Sequence, residues 1–151
     1  MKPNNPVSSI MTTKLQTVRP GDSVYKVMEI FRQFGFHHIP VVDEGEKLVG
    51  IISREDFLRI SYELSLSTSS QTYSKVTYRT MKVEEVMTTN PISLEPEDTI
   101  GLAADIFLAN EFHALPVVED QAIVGIVTTH DLLKYSFHSP VESEAMEPIE
   151  D

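Results

Sequence analysis

The chain contains no cysteine. That excludes disulfides, thiol catalysis and cysteine-ligated zinc. No apolar run approaches the roughly 20 residues of a membrane-spanning helix. The opening residues, Met1-Lys2-Pro3-Asn4-Asn5-Pro6, hold no apolar core of a secretory signal, so a cytoplasmic location is expected, with no membrane partner. Catalytic signatures are missing too: there is no Gly-x-Ser-x-Gly, no phosphate loop with Gly-Lys-(Ser/Thr) and no His-Glu-x-x-His, so no enzyme is expected. Cations are scarce in one half only. Residues 1–80 carry ten Lys/Arg and eight Asp/Glu, a net of +2, whereas residues 81–151 carry two and fifteen, a net of −13. Such acidity repels nucleic-acid backbones, so nucleic acid is not an expected partner. It also works against holding a polyanion in the second half. Its plainest role is solubility.

What is there has the balance of a soluble globular protein: 151 residues, 41% hydrophobic and 23% charged. The strongest signal is a duplication. Ile10-Met11-Thr12 returns as Val86-Met87-Thr88, Pro20 as Pro96, and Ile39-Pro40-Val41-Val42 as Leu115-Pro116-Val117-Val118, all 76 residues apart. The offset then drops to 75, pairing Gly50-Ile51-Ile52-Ser53-Arg54-Glu55-Asp56 with Gly125-Ile126-Val127-Thr128-Thr129-His130-Asp131. The slip falls between two strands, where a turn changes length cheaply.

Each unit reads as β-α-β-β-α. Thr17-Val18 and Ile92-Ser93-Leu94 are short extended segments ending at Pro20 and Pro96. Asp22 or Ser23 can cap the next helix in the first unit, and Asp98 or Thr99 in the second. Val24, Val27, Met28 and Phe31 fall at i, i+3, i+4 and i+7, and Ile100, Ala103, Ala104 and Phe107 repeat that apolar face. Gly35 suits the stop of the first helix, and Asn110, one position earlier, that of the second. Antiparallel hairpins are expected from His38–Val42 with Lys47–Ile52, and from Ala114–Val118 with Ala122–Val127. Their turns are Asp43-Glu44-Gly45-Glu46 and Glu119-Asp120-Gln121. A second helix starts near Ser53 or Thr128, with Phe57, Leu58 and Ile60, or Leu132, Leu133 and Tyr135, along it. A unit of about 60 residues buries too little to stand alone, so the two are expected to pack face to face. The division is 7–62 for the first repeat, 63–79 for a Ser/Thr-rich mobile linker, 80–137 for the second repeat and 138–151 for an acidic, disordered tail.

The strand-to-helix junction is the candidate site. It offers backbone N–H groups, a hydroxyl and a carboxylate at one point, which suits a ribose and a phosphate. Ser53-x-x-Asp56 and Thr128-x-x-Asp131 also fit a capping box, which needs those residue types with no ligand at all. His37 and His38 are adjacent at a strand start and are expected on opposite faces. His113, His130 and Asp131 form a conceivable metal set, but no short ligand spacing supports it, and no metal is expected.

The duplicated set of Val-Met-Thr, Pro-x-x-(Ser/Thr)-(Val/Ile), (Ile/Leu)-Pro-Val-Val and Gly-Ile-(Ile/Val)-(Ser/Thr)-x-x-Asp resembles a tandem pair of CBS domains, the module named after cystathionine beta-synthase, over about residues 7–137. The resemblance implies an α+β fold of two repeats related by a pseudo-twofold axis, often associated as a flat homodimer. It implies a stand-alone regulatory module that requires no cofactor and binds an adenosine-containing ligand, either AMP, ADP, ATP or S-adenosylmethionine, between the repeats. Output then passes through a conformational or dimer rearrangement to a separate regulated protein. The alternative is a ligand-free dimerisation scaffold. By the same resemblance Asp56 and Asp131 hold ribose hydroxyls, and Ser53 and Thr128 face the phosphate or ribose, with Thr129 beside it. The base lies against the Pro40 or Pro116 strand and an early segment of the opposite repeat. Thr12 and Thr17 then serve the Asp131 cleft, with His113, Ala114 and His130. Thr88, Ile92 and Ser93 serve the Asp56 cleft, with His37 and Arg54.

Overall fold

The structure is a computed structural model that describes residues 2–67 and 77–138. Residues 68–76 of the expected linker and the expected acidic tail beyond 138 lie outside the described residues. In chain order the elements are α1 (Val24–Gln33), β1 (His38–Val42), β2 (Leu48–Ser53), α2 (Arg54–Ser67), β3 (Thr88–Thr89), α3 (Ile100–Ala109), β4 (Ala114–Glu119), β5 (Ala122–Thr128) and α4 (Thr129–His138). Short 3₁₀ turns at Val7–Ser9 and Val83–Glu85 precede the two units. No described helix is long and apolar enough to cross a membrane.

The first helix of each unit starts on a hydroxyl cap. Ser23 accepts from the Lys26 N–H and Thr99 from the Leu102 N–H. Val24, Val27 and Phe31 are buried on the first, and Ile100, Ala103 and Phe107 on the second, as the spacing predicts. The ends differ from expectation. Both helices stop at equivalent positions, Phe34 and Asn110, in extended backbone, and Gly35 is not left-handed. The chain leaves each helix straight, so no glycine stop is needed.

β1 and β2 pair antiparallel, with Pro40 opposite Ile51, and β4 and β5 repeat this with Pro116 opposite Ile126. The extended segments before the helices reduce to single parallel bridges, Val18 to Val41 and Leu94 to Val117. The second hairpin turns on two residues, Asp120 and Gln121, not three; both have positive φ, 50° and 68°. That is the twist a two-residue hairpin needs. Leu58 and Leu133 do not join the core: they are 57% and 58% exposed.

The repeats exchange their starts. Val83 is buried in the core of the first unit, among Val18, Val27 and Ile52, while Val7 is buried in that of the second, among Leu94, Ile100 and Val127. The Val83 N–H donates to the Asp22 carbonyl at 2.8 Å, and the Val7 N–H to the Asp98 carbonyl at 2.7 Å. β3 then pairs with β2, Thr88 against Ile51, and Thr12 pairs likewise with Ile126. Gly50 and Gly125 make this crossing possible. A Cβ on Gly50 would lie 2.5 Å from Met87 Sδ and 2.9 Å from the Thr88 carbonyl oxygen. On Gly125 it would lie 2.5 Å from Met11 Sδ and 3.2 Å from the Thr12 carbonyl oxygen. The Met-Thr and Gly-Ile motifs of opposite repeats are therefore two halves of one contact.

Candidate functional site

Each junction closes on itself through two hydrogen bonds. The Asp131 N–H donates to Thr128 Oγ1 at 3.1 Å, and the Thr128 N–H donates to Asp131 Oδ2 at 2.9 Å. The Asp56 N–H donates to Ser53 Oγ at 3.0 Å, and the Ser53 N–H to Asp56 Oδ2 at 3.4 Å. Both are capping boxes, so each carboxylate has a structural role. The first helical N–H of each, at Arg54 and Thr129, donates to the carbonyl of His37 or His113. This ties the junction to the segment that enters the preceding strand. The remaining capacity of the two acids is used differently. The Thr12 hydroxyl, from the other repeat, lies 3.2 Å from Asp131 Oδ1 and donates to it. Asp56 instead holds the Arg59 guanidinium at 3.1 Å.

Two cavities open between the repeats. The larger, about 610 Å³, is bounded by residues 12–16 and 35–38 of the first repeat and by Ile126 to Asp131 of the second. The smaller, about 400 Å³, is bounded by Thr88 to Ile92 and 111–114 of the second repeat and by Ile51, Ser53 and Asp56 of the first. These sizes suit small-molecule ligands. His38, Ser53, Glu55 and His113 line both, so the cavities share a wall.

The expected site residues fall as follows. Thr12, Thr128, Thr129, His130, Asp131 and His113 line the larger cavity. His37 and Arg54 also line it, rather than the Asp56 side. Thr88, Ile92, Ser53, Asp56 and His113 line the smaller cavity, and so does Ala114, contrary to its expected place at the Asp131 cleft. Thr17, Pro40, Ser93 and Pro116 line neither. The two prolines are buried, and their carbonyls accept from Val18 and Leu94. His37 and His38 both line the larger cavity, against the expected opposite faces. His37 precedes β1, so strand alternation does not yet apply to it. Lys14, Gln16 and Phe36, and on the other side Asn90, Glu111 and Phe112, line the cavities without having been singled out as site residues. Repeat equivalence carries that signal: Gln16 pairs with Ile92, and Phe36 with Phe112, at the same offset of 76. Among the described residues no group of acids and histidines is arranged to hold a metal.

His38 sits in the shared wall, and its pKa is lowered to about 4. Burial is the main cause, with His37 and His113 adding repulsion, partly offset by Asp56 and Glu55. The imidazole is neutral at physiological pH.

Among known proteins, the family model described as CBS domain matches residues 7–63 and 83–138. Protein MJ1225 of Methanocaldococcus jannaschii is 32% identical over 133 residues, 87% of this chain and 47% of that protein. The chain spans less than half the length of the first curated relatives it matches. Among solved structures, CBSX2 of Arabidopsis thaliana in complex with AMP superposes with a TM-score of 0.72 at 29% identity, covering 87% of this chain and 96% of that one. The domain pair of protein MJ0100, in complex with 5′-methylthioadenosine and S-adenosyl-L-methionine, gives 0.71 at 26% identity, covering 89% and 97%.

Proposed function

The chain belongs to the CBS domain family, and we propose that it is a regulatory module that binds an adenosine-containing ligand between its two repeats. The observation that carries this reading is the larger cavity, where Thr12 of one repeat meets the Asp131 carboxylate of the other. A ribose hydroxyl donating to Asp131 displaces or joins the Thr12 hydroxyl, and a carboxylate is a strong acceptor for it. Asp56 has the same role in the smaller cavity, with Ser53 and Thr128 beside the ribose or phosphate. The complexes of the two relatives support the ligand class. Binding acts by tying together elements of both repeats, and it shifts their arrangement only as far as it favours one arrangement over another. The role is one of binding and not of catalysis.

The test is thermal unfolding with AMP, ADP, ATP and S-adenosylmethionine. A ligand at about 100 times its dissociation constant adds roughly 2.7 kcal/mol, a shift of several degrees. Asp131→Ala and Asp56→Ala should each weaken binding in its own cleft, and an undiminished shift in the double variant refutes the assigned clefts. Absence of any shift supports the second reading, a dimerisation scaffold. One observation favours that reading: Leu58, Tyr62 and Leu66 of α2 and their equivalents Leu133 and Phe137 of α4 are 57–75% exposed at helical spacing. A stripe repeated by the internal symmetry suits a second copy of the chain, which can meet it with the same stripe. Phe137→Glu with Tyr62→Glu should then convert a dimer to a monomer by light scattering.

A further inference from the structure

Resting on the adenosine-ligand reading, we infer that the two clefts are sorted by charge: the Asp131 cleft takes a phosphorylated ligand and the Asp56 cleft an uncharged or cationic nucleoside. The repeats have diverged at three equivalent positions near the clefts, and each change leaves the smaller cleft the more negative. Lys14, lining the larger cavity, corresponds to Asn90 in the smaller. Gly35 corresponds to Glu111. His130, preceding Asp131, corresponds to Glu55, preceding Asp56. Arg54, at the Asp56 junction, lines the larger cavity and not the smaller, so it adds a cation to the Asp131 cleft.

The charges are available to a ligand. Lys14 and Arg54 are exposed, and among the described residues neither side chain is in a hydrogen bond or ion pair. The larger cavity thus sets two unpaired cations against Glu55 and Asp131. The smaller has Glu55, Asp56 and Glu111 and no lysine or arginine in its lining. Arg59 engages Asp56 at 3.1 Å, which leaves two carboxylates uncompensated. A phosphate entering the smaller cleft meets Glu55 and Glu111 with no lysine or arginine to offset them, whereas in the larger Lys14 and Arg54 offset Glu55. Because all four charged groups are solvent-exposed, the preference is moderate and falls with added salt.

The test is calorimetric titration of the full chain with AMP and with 5′-methylthioadenosine, which lacks the phosphate. One AMP site is expected, lost in Asp131→Ala and kept in Asp56→Ala. Arg54→Gln should weaken AMP about tenfold, the size of a charge-assisted contact, and leave 5′-methylthioadenosine within about twofold. Glu111→Lys should open the second cleft and raise the AMP stoichiometry from one to two. AMP filling both clefts of the unmodified chain equally, or Arg54→Gln weakening both probes alike, overturns the sorting and leaves the ligand reading standing. Binding of neither probe overturns both.

Discussion

Acidification should destabilise this protein through one side chain, His38. Its imidazole is neutral in the folded state with a pKa of about 4, against 6.5 for the free side chain, chiefly because burial penalises the cation. Above pH 6.5 the folded and unfolded states bind the same number of protons at this residue, and it adds no pH dependence. As the pH falls below 6.5 the unfolded chain takes up a proton that the folded chain refuses, so stability is lost until the pH reaches about 4. Between pH 7.5 and 5.0 the loss from this group is about 2 kcal/mol, or roughly 4–8 °C in Tm for a chain of this size. Among the described residues, Asp22 is the carboxyl held off its ordinary pKa, and the window avoids it. Partial burial would raise Asp22, but the Arg19 N–H and the Lys26 ammonium outweigh it and hold it below 3.8, so its contribution is lost only at lower pH. The control is His38→Ala, because the second repeat carries Ala114 at that position and its strand forms normally. Urea unfolding of both proteins at pH 7.5 and 5.0 gives a double difference in which the packing loss cancels. An equal pH response in the two proteins refutes the assignment.

Other expectations follow from the packing. Gly50→Ala and Gly125→Ala should each cost about 1–3 kcal/mol in urea melts, since the new Cβ overlaps a methionine sulfur at 2.5 Å, and Met87→Ala should restore part of the Gly50→Ala loss. Gln121→Gly should stabilise by about 1 kcal/mol, because φ of 68° strains any side chain and a glycine relieves it; an unchanged urea midpoint counts against the turn as described. Val7→Ala should lower hydrogen-exchange protection in β4 and β5 before β1 and β2, because Val7 is fully buried in the second core. Earlier loss in β1 and β2 contradicts the exchanged starts.

The duplication made most of the elements legible. Apolar spacing located α1 and α3 because Val24, Val27 and Phe31 and their counterparts face a core whatever surrounds them. β3 was not legible. Thr88 and Thr89 are polar and exposed, and they are a strand only because β2 of the other repeat supplies their hydrogen bonds. Whether Leu58 and Leu133 are buried was not legible either: leucine at a helical position is buried only where something packs on it, and both are exposed. At the site, the carboxylates and hydroxyls stood out because the junction motif is written twice. Thr17 and Ser93 line no cavity while their neighbours Gln16 and Ile92 do, and on extended backbone one residue changes the face. The charge of each wall could be read only once it was known which segments meet.

The exchanged starts bear on how a ligand could act. If each repeat were closed on itself, a ligand between them would bridge two rigid bodies along a seam. Here Val7 and Val83 already lock each repeat into the core of the other, so large separation of the halves would expose both cores. The freedom that remains lies in the segments after the lock, residues 12–16 and 88–92, which line the cavities and are mostly exposed or half-buried. Driving a two-state element from 1:99 to 99:1 takes about 5.5 kcal/mol of differential affinity, most of what a micromolar ligand gains in total. A single nucleotide acting on such short segments would therefore bias them by degrees. A sharper response needs both clefts to act on the wall they share, where His38, Ser53, Glu55 and His113 face each side.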